Sequence, residues 1–144
     1  MKIQALLDQI QQLPVSFQQI EGCVLLVRDG EPFSLDEAQS NLYDCQGNRE
    51  EAEIVFNQFY IVREFLDSRV GYSELGGDQL LEIAHALAER FKTEWRKTAP
   101  NRGCVITIDG DAYEPLELSI ISRSVFPNQR LAGHYRSIAF LPRA

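Results

Sequence analysis

The chain holds few of the side chains that carry chemistry. Its 144 residues include two histidines, one tryptophan, one methionine and three cysteines. His85 and His134 are too little material for an imidazole-based metal site. Cys23, Cys45 and Cys104 are odd in number and far apart, which suits reduced thiols better than a disulfide framework. No apolar run is longer than residues 23–27, far short of the ~20 residues that cross a bilayer. The first residues space Ile3, Leu6, Leu7 and Ile10 with polar side chains, so no continuous apolar segment of a secretory signal is expected. There is no G-x-S-x-G, no P-loop, no G-x-G-x-x-G and no internal repeat. Together these absences lead to the expectation of a cytoplasmic protein with no membrane partner, no metal and no cofactor.

What is present is an ordinary globular composition, 44% hydrophobic and 24% charged. A chain of this length buries about 68–70% of its unfolded surface and needs no metal or disulfide to hold a core. A single α+β domain over residues 1–144 is the simplest expectation. The net charge of −7 repels phosphate backbones, so nucleic acid is not expected as a partner. That charge is uneven. Residues 29–53 carry eight acids against one base, Arg49, whereas residues 118–144 carry four arginines and no acid.

Residues 49–70 stand out. Placed on a helix, Ala52, Val55, Phe56, Phe59, Val62, Leu66 and Val70 share one face. Ile54, Ile61 and Phe65 form a second apolar group, and Glu53, Asn57, Tyr60, Glu64 and Asp67 a narrow polar stripe. A helix apolar on more than one side is covered on more than one side. The stretch therefore reads as a central helix, with a sheet on one face and another helix or a second subunit on the other.

Around it the pattern predicts a helix over 2–13 stopped by Pro14, and strands at 15–20 and 23–27. Ser34 and Glu37 have capping-box spacing and open a short helix from 35 to about 43. Residues 79–97 show one clean apolar face of Leu80, Leu81, Ala84, Leu87, Ala88, Phe91 and Trp95. Three strands follow at 104–108, 116–126 and 134–141. The resulting expectation is α+β. The buried 23–27 strand and a C-terminal three-strand meander make an antiparallel sheet, with helices packed on one face around the central helix.

Glu82, His85 and Glu89 share one side of the 79–97 helix at i, i+3, i+7, the spacing of carboxylate–imidazole metal sites. That side lies opposite Ala84, Leu87 and Phe91, and no second ligand-bearing helix exists, so a solvated polar face is expected. Asp109-Gly110-Asp111 with Glu114 lacks the residue order of a calcium loop and reads as an acidic turn. Cys23 and Cys104 sit in apolar strands. Cys45 falls in a loop beside Asp44, whose charge opposes thiolate formation.

Arg123, Arg130 and Arg136, with His134, Tyr135 and Phe126, make a basic, aromatic-interleaved patch. Such a patch can bind anions or single strands, or pair with the acidic 29–53 segment within the chain or across a dimer. The leading expectation is a non-catalytic interaction module: a regulator, assembly factor or chaperone-like adaptor. It would engage a protein partner, or a second copy, through Arg123, Arg130, His134 and Arg136 and through Ile54, Ile61 and Phe65. The alternative is a small enzyme or ligand-binding domain, its pocket between sheet and helices with His134, Tyr113 or Tyr135 at the rim. Single-stranded nucleic-acid binding through the arginines is the weaker third reading.

Overall fold

In a computed structural model the described residues are 2–67, 69, 74–111, 114–125 and 136–140, the last segment by its backbone alone. After α1 (Lys2–Ile10), strands β1 (Val15–Ile20) and β2 (Cys23–Arg28) pair antiparallel with Ile20 opposite Cys23. The two turn residues, Glu21 and Gly22, have φ of 54° and 78°. That left-handed pair is what a two-residue hairpin needs to follow the strand twist. β2 is buried on both sides from Cys23 to Val27. Its alternation divides two cores: Val24 and Leu26 point into the main one, Cys23 and Leu25 into a smaller one.

The main core is organised by α4 (Gly77–Thr98), whose Leu80, Ile83, Ala84, Leu87, Ala88, Phe91 and Trp95 are all buried. Phe17 of β1 meets Phe91 and Trp95 edge-on, with ring centroids 6.4 and 5.2 Å away. The Trp95 indole N–H donates to the Arg102 carbonyl at 2.9 Å, so the ring is buried without losing its hydrogen bond. Arg90 donates to the Ile10 and Leu13 carbonyls at 2.6 and 3.0 Å, capping the end of α1.

The second sheet is antiparallel, with order β3 (Gln58–Tyr60), β5 (Ser119–Ser124), β4 (Cys104–Asp109), β6 (Arg136–Phe140). The α+β class with antiparallel strands holds. Two pairings differ from the expected arrangement. β6 lies beside β4 rather than β5, because β3 already occupies part of the other edge of β5, with Gln58 opposite Ile121 and Tyr60 opposite Ser119. β2 pairs with β1 and not with the C-terminal strands.

The largest correction concerns residues 49–70, which are not one helix. α3 (Arg49–Phe56) ends at Asn57, whose N–H donates to the Glu53 carbonyl at 2.8 Å. The chain then extends as β3 and closes a π-helical turn over Val62–Leu66, with the Asp67 N–H on the Val62 carbonyl at 2.8 Å. The break sorts the apolar residues by position in the chain and not by helical face: Ala52 and Phe56 pack in the small core, Phe59, Ile61, Val62, Phe65 and Leu66 in the main one, and Ile54 and Val55 stay exposed. α4, not this stretch, is the central helix. Val70 lies outside the described residues.

Candidate interaction surface

The helical layer formed by α2 (Leu35–Asp44) and α3 is held to the fold by two buried polar side chains. Glu53 and Asn57, both 0% exposed, sit one turn apart and point inward. The Glu53 carboxylate accepts from the Val24 N–H at 2.8 Å and from the Ser124 N–H and hydroxyl at 2.6 and 2.7 Å. Asn57 accepts from the Leu26 N–H at 2.7 Å and donates to the Val24 and Ser122 carbonyls at 2.8 and 2.7 Å. These are the bonds that a strand lying between β2 and β5 would make. Two side chains thus join the two sheets, and this is why β2 does not pair directly with the C-terminal strands. Burial pushes the Glu53 carboxyl above its usual range, while the donors from Ser124 and Val24 and the charge of Arg102 pull it back. The polar stripe visible in the sequence is this seam. Its far end continues as Glu64, which binds Arg28 at 2.6 Å and the Tyr60 N–H at 2.8 Å.

α2 starts as its sequence predicts. The Glu37 N–H donates to Ser34 Oγ at 3.1 Å, and the Ser34 N–H to the Glu37 carboxylate at 3.2 Å. Cys45 and Ala52, with the half-buried Leu42, Phe33 and Phe56, close the small core over Cys23 and Leu25, and Ala38 is buried on the inner side of α2. What this packing leaves outside is unusual. Of the five large hydrophobics exposed among the described residues, four lie on α2 and α3: Leu35 (54%), Tyr43 (83%), Ile54 (37%) and Val55 (53%). On α2 the helical repeat sets Leu35, Gln39, Leu42 and Tyr43 within about 100° of one another. An open groove of about 770 Å³ runs between the C-terminal end of α2 and the β1–β2 turn, lined by Glu21, Gln39, Leu42, Tyr43, Asp44 and Gln46. Asp29, Glu31, Asp36, Glu37, Asp44 and Glu51 are exposed along the same segment.

The predicted site residues do not converge. Arg123 pairs with Glu50 at 3.0 Å, so the basic C-terminal part and the acidic segment do meet, within one chain. Arg130 and His134, like Tyr113, Phe126 and Tyr135, lie outside the described residues. Arg136 begins β6 opposite Ile108. Ile54 is at the surface, but Ile61 and Phe65 are packed inside the main core and cannot reach a partner: the second apolar face is covered by the chain itself. Glu82, His85 and Glu89 are exposed on α4, with Glu89 paired to Lys92 at 3.2 Å. Among the described residues no three His, Cys, Asp or Glu side chains are placed to hold a metal ion, and no helix is long and apolar enough to cross a membrane. Cys45 is buried rather than loop-exposed, and its thiol is raised by that burial first and then by Glu51 and Asp44.

No family model, curated protein or solved structure matches the chain. The surface itself therefore carries the functional reading. The groove is lined by an exposed phenol ring and a leucine together with two acidic residues, Glu21 and Asp44. The sequence signal for it was the capping box followed by Leu35, Leu42 and Tyr43 with acids and no base between them.

Proposed function

We propose that the protein is a non-catalytic cytoplasmic interaction module, acting as a regulator, assembly factor or adaptor, and that its contact surface is the outer face of α2 and α3. The observation that carries this is the concentration of exposed large hydrophobics on those two helices, above a small core that is already closed without them. Single exposed apolar residues are ordinary, whereas several gathered on one layer mark contact surfaces, where tyrosine is enriched. The acidic layer replaces the C-terminal arginines as the favoured surface, since Arg123 is engaged by Glu50.

The test is capture of a partner from the host's extract by the immobilised protein and three variants. Leu35→Ser with Tyr43→Ser, and Ile54→Ser with Val55→Ser, should each lose the captured protein while melting at nearly the wild-type temperature. His85→Ala, on the exposed side of α4, should retain it. Equal capture by all four proteins would overturn the reading.

A further inference from the structure

We propose that the groove beside Tyr43 receives an arginine or lysine side chain from a basic amphipathic segment of the partner. This rests on the interaction reading and names the chemistry of what binds there. The charge pattern is the first support. α2 carries Asp36, Glu37 and Asp44, with no base in its last turn. The one base of residues 29–53, Arg49, donates through Nε to the Glu21 carbonyl at 2.9 Å and lies across Gly22. Arg49 thus sets one cation at the Glu21 end, and the attraction for a cationic segment is centred on the α2 end, where Asp36, Glu37 and Asp44 have no base among them.

The position of Asp44 is the second support. A helix C-terminus carries partial negative charge and favours cations. α2 instead ends on an acid, directly beside the most exposed tyrosine among the described residues. For folding alone Asp44 is at the wrong end of its helix, and residues that break a local rule without a structural gain are where function is sought. The third support is shape. The groove combines the Tyr43 ring, the apolar Leu42 and the carboxylates of Glu21 and Asp44. An arginine or lysine would match these groups, with its stem against Leu42, its charge by the ring and its head toward Asp44. Leu35, Gln39 and Tyr43, spaced i, i+4, i+8, give the rest of the segment a ridge to lie along.

The probe is a fluorescein-labelled, amidated 16-residue peptide with arginines at i, i+4 and i+8 and leucines at i+3 and i+7. Its control carries glutamates in place of the arginines. Anisotropy measures affinity, and amide shifts of the labelled protein locate the contact. The arginine peptide should bind and shift Glu21 and residues 39–47, and the glutamate peptide should not. Asp44→Asn should weaken binding about tenfold while leaving the melting temperature unchanged or higher, a combination that a structural role for Asp44 would not give. Equal binding of both peptides, no effect of Asp44→Asn, or shifts elsewhere would overturn the inference. So would a dimer in sedimentation that Tyr43→Ser returns to monomer. If host-extract capture still depends on Leu35 and Tyr43 while the arginine peptide fails, the interaction reading stands and this inference falls. If both fail, both fall.

Discussion

The core around α4 and the thin layer beneath α2 and α3 share β2 as a common wall, yet they are built on different terms. Twenty-six buried residues make up the first among those described, and four make up the second. The large core is apolar and interlocked by Phe17, Phe59, Phe91 and Trp95. The thin layer has little apolar area to hold it, so its attachment depends on Glu53 and Asn57 spanning from β2 to β5. The difference separates the part that fixes the fold from the part free to carry side chains the fold does not need.

The contrast is sharpest in large-to-small substitutions. Phe91→Ala should cost about 3–5 kcal/mol in denaturant unfolding, as expected for a fully buried ring. Leu42→Ala in the thin layer should cost well under half as much, and equal losses would erase the distinction. Glu53→Gln comes next. An amide nitrogen cannot accept, so the Val24 N–H or one of the two Ser124 donors loses its acceptor, at about 1–3 kcal/mol. The seam also sets a pH dependence. Burial raises the folded carboxyl above its unfolded value, so its stabilising contribution is complete below the ordinary glutamate range and fades as pH rises through the folded pKa. The stability gap between wild type and Glu53→Gln should therefore narrow from pH 4 to pH 8. A widening gap would mean that the three donors outweigh burial.

Smaller effects test the outer layer. Ser34→Ala removes the α2 cap and should cost about 1 kcal/mol, with faster amide exchange confined to the first turn of that helix. Tyr43→Ser should change stability by no more than about 0.5 kcal/mol, because the ring is almost entirely in solvent. A large loss there would make Tyr43 a structural residue and remove it from the contact surface.

Elements whose signals are local were legible in the sequence. Strands β1 and β2 follow from two apolar runs parted at Gly22, although their pairing with each other does not; α2 follows from Ser34 and Glu37, and α4 from its single apolar face ending at Trp95. Residues 49–70 were not. Their breaking point is set by partners far away in the chain, since Asn57 binds Leu26 and Ser122 and Glu53 binds Val24 and Ser124. No periodicity within the stretch reports those bonds, and the three-residue β3 is too short to overcome a helical pattern. The order of β5, β4 and β6 was hidden for the same reason, because β3 takes the edge of β5. Ile61 and Phe65 looked like an interface for want of knowing that the chain itself covers them. Tyr43 looked unremarkable until Ala38 and Leu42 proved to use up the packing side of α2.

The most direct test is site-specific photocrosslinking in the native host, with a photoreactive phenylalanine placed singly at Tyr43, Val55 and His85. One discrete adduct of the same mass from positions 43 and 55, and none from 85, is the predicted result. An adduct from position 85 alone, or equal adducts from all three, would contradict the assignment of α2 and α3 as the contact surface.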